Sequence, residues 1–295
     1  MRLRSLTRAL HGEDLPKQFA RIEADRSLLQ SSVNRALAWS VPEQVVVIVS
    51  EQREELARSQ LAAFGALTLV SQPSNLGTGP GILLPLTHVL AADREAHVVI
   101  MPSDQFVRDE APFRRAVRHA AERSAAHDGL VLIGAVPDIP DPQYGWIVPR
   151  SGESGELYVH CFEEKPEPAT ARRLFERGAL WNTFVLVASA RHLWHLAEQH
   201  MPEQSRVLGE ALREQALEDR SRVSQIYERM PAADFSRDVL EHAQGLEVEP
   251  LAECGWSDWG TPERVVASLR GTREFASFER RLRGQPMPGV PASSR

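Results

Sequence analysis

HVVIMPSD, residues 97–104, decides how this chain folds. HVVIM is a short run with a β-branched apolar centre, as in a buried strand. The run stops at a proline and a serine, and Asp104 stands just past its end. Two similar runs, VVVIV (45–49) and LTLV (67–70), precede it. Between them EQREELARSQLAAF (51–64) carries apolar residues at helical spacing, and ILLPLTHVLAAD (82–93) does so with Pro85 as a kink point. An Arg- and Ala-rich helix is expected over 110–127 and a strand at LVLIGAV (130–136). Strand and helix alternate, so this half reads as α/β with a largely parallel sheet.

The second half is more mixed. YGWIVP, ELYVHCFEEK and LWNTFVLVA are strand-like, with helices expected near 168–177 and 189–217. GLEVEPL (245–251) and a helix from Thr261 close the body, and GQPMPGVPASSR reads as a disordered tail. No internal repeat and no Pro/Gly-rich linker divides the body, which points to one compact α/β domain with an inserted lobe.

Composition excludes several classes. A chain of 295 residues with 42% hydrophobic and 25% charged content is ordinary for a globular protein. The net charge of −6 argues against general nucleic-acid binding. No stretch approaches the ~20 apolar residues of a membrane span, and the basic N-terminus lacks the apolar run of a signal peptide. Cys161 and Cys254 form neither a disulfide framework nor a CxxC pair, so a reducing cytoplasm is the expected location.

Of 34 Lys plus Arg, 32 are arginine, a bias that fits a GC-rich genome. The two lysines are Lys17, in LPKQF, and Lys165, in FEEKP, each beside a proline. Lysine is a compact point charge that a planar guanidinium does not reproduce. Either these are chance survivors or each meets a ligand that needs an ammonium.

Ligands of open α/β sheets bind beyond the carboxyl ends of the strands. Asp104 lies there and offers a carboxylate for Mg²⁺, or else caps the next helix. Asp258, in GWSDWGT (255–261), is a second carboxylate that clamps the same metal, or a turn residue bonding its own backbone. NLGTGPG (75–81) lacks the lysine of a Walker loop. Its glycines still allow close backbone approach, and Thr78 is placed to cap the following helix and present N–H groups. Asn182 in WNT either reaches sugar hydroxyls or satisfies local backbone. His192 and His195 are one turn apart but lack a third ligand at suitable spacing, so they read as partly exposed helix residues.

In order, RLRSLTR, LPKQF, SLLQ, NLGTGPGI, VIMPSDQ, YGWI, FEEKP, WNTFVL, FSRDVLE and GWSDWG resemble the sugar-nucleotide pyrophosphorylases, most closely the mannose-1-phosphate guanylyltransferases, from about residue 2 to 270. LPKQF and GWSD favour the guanylyl branch. The resemblance implies a Rossmann-like, mixed but mainly parallel sheet flanked by helices, the glycosyltransferase-A-like nucleotidyltransferase fold. A nucleotidyltransferase domain over residues 1–272 and a C-terminal helix and tail over 273–295 are expected. It implies transfer of GMP from GTP to mannose 1-phosphate with Mg²⁺, giving GDP-mannose and pyrophosphate. Asp104 and Asp258 match the metal carboxylates, and Arg2 and Lys17 match the phosphate-binding signature. Lys165 matches the lysine at the sugar phosphate, Glu164 and Asn182 the sugar-hydroxyl contacts, and Gly145 the residue near the ring. Asn75, Gly77 and Thr78 match the segment facing the base.

Departures from the family pattern are WNTF for WNSG, GTGPG for GTAPA and PSDQ for PADH. The family opens with a buried strand and a turn of the form LAGGxGTRLxPL, and this sequence starts at the point of RL. The expectation is therefore an N-terminally truncated chain, weakly active or inactive until that strand and loop are restored. The family's C-terminal domain, where it occurs, has no counterpart here, so a homodimer would form by another surface. The alternatives are a catalytically impaired sugar-nucleotide-binding or regulatory homologue, or a nucleotidyltransferase for another NTP and sugar phosphate. No G-x-G-x-x-G follows a strand, which disfavours a nucleotide-sugar epimerase or dehydrogenase.

Overall fold

A computed structural model describes residues 3–23, 25–153 and 155–283. Arg2 and the segment 284–295, part of the expected tail, lie outside the described residues. Among the described residues eight strands are present: β1 (Val46–Ser50), β2 (Thr68–Gln72), β3 (His97–Ile100), β4 (Val131–Ala135), β5 (Gly145–Ser151), β6 (Leu157–Glu164), β7 (Leu180–Ser189) and β8 (Glu247–Leu251). Each strand-like run of the sequence is one of them. The fold is α/β.

The sheet differs from the expected largely parallel one. β1 and β2 form a parallel pair of their own, and the other six follow the order β3-β7-β4-β8-β6-β5. β7 runs antiparallel to both β3 and β4, and β6 antiparallel to β5 and β8; within the six-stranded sheet only β4 and β8 pair in parallel. β3, β4, β8 and β5 still share one direction. The strand alternation of the first half could not reveal that a strand from the second half inserts between β3 and β4.

β4 is buried along its whole length, which explains its uninterrupted apolar sequence. The pleat sends alternate side chains to opposite faces. Leu132 joins a core with Leu83, Leu186, Leu193 and Leu208, beneath the helices Thr78–Ala92, Ala190–His200 and Pro202–Arg213. Val131 and Ile133 join Phe113, Val117 and Val185 beneath the helix Glu110–His127. β1 alternates likewise: Val46 and Ile48 face the first core, while Val47 and Val49 face a separate cluster with Phe19, Leu29 and Leu61.

The helix expected over 189–217 is two helices. Pro202 has no amide hydrogen and pushes Met201 out of helical geometry, to φ −133° and ψ 57°, so a new helix starts at Pro202. His195 lies exposed beside Gln199, and among the described residues no three His, Cys, Asp or Glu side chains form a metal-binding group. No helix among them is long and apolar enough to cross a membrane.

A fourth cluster joins the two ends of the described chain. Leu3, Leu6 and Ile22 pack with Trp259, Val265, Leu269 and Phe278, the last from the helix Phe275–Leu282. Beside it Glu23 lines a recess of about 540 Å³ together with Glu110 and Glu274. Burial, then the negative charge of Glu274, raises the Glu23 pKa to about 7, against an opposing pull from Arg35. A carboxyl with a raised folded-state pKa stabilises fully below its unfolded pKa and loses that contribution as pH rises through the folded value. Glu23→Gln is therefore expected to match the parent chain at pH 4.5 and exceed it by about 1–3 kcal/mol at pH 8. Urea unfolding at both pH values checks this, and an unchanged difference between them contradicts it.

Candidate active site

The loop leaving β3 carries Asp104 to the carboxyl edge of the sheet. The helix that follows is capped by Asp109, whose Oδ1 accepts from the Ala111 N–H at 2.9 Å, so the capping role open to Asp104 belongs to another residue. Asp104 instead pairs through Oδ2 with Lys17 Nζ at 3.0 Å. The same ammonium donates to the main-chain oxygen of Asp258. Three segments distant in sequence thus meet at one nitrogen.

Backbone pairing holds them there. Phe106 and Ser257 form an isolated antiparallel bridge, with N–H···O distances of 2.9 and 3.0 Å in the two directions. Phe106 stacks on Trp259 with ring centroids 4.5 Å apart. Gln105 donates to the Thr183 carbonyl and accepts from Trp256 Nε1 at 2.9 Å, which fastens β7 to both loops.

Asp258 fulfils its turn reading and also meets side chains from other segments. Its Oδ1 accepts from its own backbone at Gly260 N–H (2.9 Å), as a turn residue does. The same oxygen accepts from Tyr144 OH at 2.8 Å and Arg264 Nη1 at 2.7 Å. Burial, reinforced by the Asp258 charge, pushes the Tyr144 phenol well above its ordinary value, so it stays a donor. Its ring stacks on Trp181 at 4.3 Å.

Tyr144 also leads to the second group of predicted residues. Its carbonyl accepts from the Lys165 N–H at 3.2 Å, and Gly145 lies directly opposite Glu164 in the β5–β6 ladder. A Cβ on Gly145 would stand 2.6 Å from Glu164 Oε2 and 3.4 Å from Asn182 Cβ, so glycine is required by the approach of these side chains. Lys165 Nζ pairs with Glu164 Oε1. Gly145, Glu164, Lys165 and Asn182 are therefore one group, and Tyr144 is the bridge between it and Asp258.

Asn182 sits at a distortion of β7. The β4–β7 register shifts between Ile133 and Gly134, which leaves Thr183 and Phe184 outside the regular pairing. Bulges of this kind re-aim side chains next to sites. Asn182 Oδ1 accepts from the Phe184 N–H at 2.9 Å, so the local-backbone reading of Asn182 holds for its oxygen. Phe184 has φ +59°, Lys165 +49° and Trp259 +45°; these are three of the five non-glycine residues with positive φ among those described. Such backbone costs on the order of 1–3 kcal/mol per residue and gathers where a site demands it.

The turn bearing Asn75, Gly77 and Thr78 differs from expectation at Thr78. Gly77, at φ +95°, is the N-cap position of the helix, and no side chain caps it. The Thr78 hydroxyl accepts from the Phe235 N–H at 2.8 Å, and Gly79 N–H donates to Ala233 O at 2.9 Å. Thr78 fails as a cap because the 233–235 segment competes for its oxygen. A Cβ on Gly77 would fall 2.3 Å from Ala233 O, so close chain approach explains this glycine. Asn75 Oδ1 accepts from Gly77 N–H at 3.0 Å. Phe235 meets Phe184 edge-on at 6.4 Å, which connects this turn to β7 near Asn182.

Asp141, Tyr144, Arg264 and Gln105 were not anticipated. Tyr144 carried a signal in the YGW run just ahead of Gly145, and Gln105 in PSDQ; Asp141 and Arg264 act through contacts between distant segments. The site's free donors are carboxylate oxygens, which suits a hard cation such as Mg²⁺, bound typically by one or two carboxylates with phosphate and water completing the shell.

Comparison with known proteins gives a consistent result. A family model described as nucleotidyl transferase matches residues 1–272. The mannose-1-phosphate guanylyltransferase RfbM of Salmonella typhimurium is 31% identical over 270 residues, covering 88% of this chain and 54% of its own. The mannose-1-phosphate guanylyltransferase of Escherichia coli is 30% identical, with 88% and 55% covered. The chain spans about half the length of the curated relatives it matches. A crystal structure of a mannose-1-phosphate geranyltransferase from Thermus thermophilus superposes with a TM-score of 0.77 at 24% identity, covering 86% of this chain and 72% of that one. HddC from Yersinia pseudotuberculosis, complexed with GMP-PN, gives 0.52 at 14% identity, covering 86% and 89%.

Proposed function

The chain belongs to the nucleotidyl transferase family, and on that premise we propose that it transfers GMP from GTP to mannose 1-phosphate, forming GDP-mannose and releasing pyrophosphate. The observation that carries this reading is the meeting of Asp104, Lys17 and Asp258 at one ammonium, joined through Tyr144 to the Gly145–Glu164–Lys165–Asn182 group. Guanine and mannose rest on the names of relatives at 30–31% identity.

A phosphate oxygen of the sugar 1-phosphate attacks the α-phosphorus in line. The bond to the bridging oxygen breaks, and its electron pair leaves with pyrophosphate. This chemistry asks for positioning and charge neutralisation more than covalent catalysis. Asp104 and Asp258 would hold Mg²⁺, which when bound would neutralise phosphate charge. Lys17 keeps the two carboxylate segments together and faces the triphosphate. Lys165 binds the sugar phosphate. Glu164 and the Asn182 amide nitrogen meet sugar hydroxyls, and Gly145 leaves room for the ring. Asn75, Gly77 and Thr78 place backbone groups by the base. The reaction belongs in the cytoplasm, where nucleoside triphosphates are available.

Two measurements test the proposal. Calorimetric titration with GDP-mannose, with other nucleoside diphosphate sugars as competitors, reads the pocket; pyrophosphate release from GTP and mannose 1-phosphate in Mg²⁺ reads the chemistry. A preference for GDP-mannose of at least about tenfold, or 1.4 kcal/mol, is expected. Binding without turnover favours the impaired, regulatory homologue. Binding of no sugar nucleotide overturns the reading.

A further inference from the structure

Arg264 is not among the residues that the motifs single out, yet its guanidinium is the hub of the Asp258 environment. One nitrogen, Nη1, donates to Asp258 Oδ1 at 2.7 Å, and the other, Nη2, pairs with Asp141. The plane lies 4.4 Å from the Tyr144 ring centroid, a cation–π contact that fixes its tilt. Asp141 in turn is anchored by its backbone, whose carbonyl accepts from Trp146 Nε1 at 3.1 Å. The two ion-paired side chains are largely buried, 16% and 14% exposed.

All three donors to the Asp258 carboxylate converge on Oδ1: Gly260 N–H, Tyr144 OH and Arg264 Nη1. That uses the full accepting capacity of one oxygen. No hydrogen bond reaches Oδ2 among the described residues. An aspartate carboxylate turns easily about its last torsion, and its two oxygens are equivalent until something distinguishes them. Here three donors do so. We infer that Arg264 is the positioning residue for Asp258, turning the carboxylate so that Oδ2 alone is offered to a divalent cation, with Asp141 holding Arg264 in place. Asp141 has a second effect: it neutralises the guanidinium, so a cation at Oδ2 does not meet an uncompensated positive charge.

Lysine cannot fill this role, because a single ammonium on a flexible stem does not hold two carboxylates in a fixed fork. That separates positioning from mere charge. The inference rests on Asp258 being a cation ligand, and the experiment distinguishes the two claims. Mn²⁺ binding to the full chain, in the presence of GDP-mannose, is followed by the loss of the free-ion electron paramagnetic resonance signal. Arg264→Met, Arg264→Lys and Asp141→Asn are each expected to weaken Mn²⁺ about tenfold, within the range typical of residues that orient metal ligands. Asp258→Asn is expected to weaken it about a hundredfold or more. Unfolding midpoints of the same variants show whether they fold, and Asp141→Asn, which leaves Arg264 in place, guards against collapse of the Arg264 variants.

Mn²⁺ affinity of Arg264→Met within twofold of the parent, or tighter, overturns the positioning role, as does full rescue by Arg264→Lys. No loss in Asp258→Asn, or no Mn²⁺ binding by the parent chain, overturns the cation-ligand reading beneath it.

Discussion

Asp104→Asn is expected to lower pyrophosphate release by about 10³-fold while leaving the unfolding midpoint within about 2 °C of the parent. The separation of the two effects follows from what Asp104 touches. It does not cap the helix Glu110–His127, because Asp109 does. Its ion pair with Lys17 is partly exposed, with 40% of the Asp104 side chain accessible, and such pairs contribute only about 0–1 kcal/mol. Lys17 keeps its second partner, the Asp258 carbonyl, so the three segments stay together without the Asp104 charge. What asparagine removes is the anionic oxygen that this loop presents beside the Lys17 ammonium. Charge stabilisation by a metal ion in a phosphoryl-type transfer is worth several kcal/mol, and at 1.36 kcal/mol per decade this gives the thousandfold loss. Initial rates of pyrophosphate release at saturating substrates, set beside thermal melts of the same preparations, make the test. A variant retaining more than a tenth of parent turnover removes Asp104 from the chemistry, and a large fall in midpoint recasts it as structural.

The sequence made the strands legible because burial on both faces leaves a plain mark. VVVIV contains no polar residue, and VLIGA at 131–135 is buried at every position. HVVI at 97–100, by contrast, opens on an exposed histidine and is only half-buried, so its apolar run overstated its burial. The sequence also made the two lysines conspicuous, and the structure places Lys17 between the Asp104 carboxylate and the Asp258 main-chain carbonyl. Strand direction was less legible. Nothing in LWNTFVLVAS says that it enters the sheet between two earlier strands and runs against them. The positive φ of Phe184, Lys165 and Trp259 was invisible for a different reason: such conformations are marked in sequence by glycine, and these three positions carry bulky side chains held by their surroundings. Arg264 was hidden by the arginine-rich composition, in which one guanidinium among 32 attracts no notice. Its partner Asp141 is 123 residues away. Contacts of that kind are properties of the folded chain, and only the fold reveals them.

Lys165→Ala is expected to raise the KM for the sugar 1-phosphate by about 10–100-fold while leaving the KM for the nucleoside triphosphate within about twofold. Hydrogen bonds to charged groups contribute about 1.5–3 kcal/mol, which spans that range. The selectivity comes from position. Lys165 belongs to the Gly145–Glu164–Asn182 group and reaches Asp258 only through Tyr144, whereas Lys17 sits directly on the carboxylate segments. Its side chain is 45% exposed and, among the described residues, its ammonium pairs with Glu164, a partner it can exchange for a phosphate. Its backbone, at φ +49°, is fixed by the N–H to Tyr144 O contact rather than by the side chain, so truncation to alanine leaves the chain path intact. Arginine at this position retains the charge but replaces a point donor with a wide plane beside Glu164, and it is expected to restore less than a tenth of the lost efficiency. Steady-state kinetics with each substrate varied in turn decides the matter. Equal changes in both KM values, or full rescue by Lys165→Arg, would show that the ammonium supplies only diffuse positive charge and does not grip the sugar phosphate.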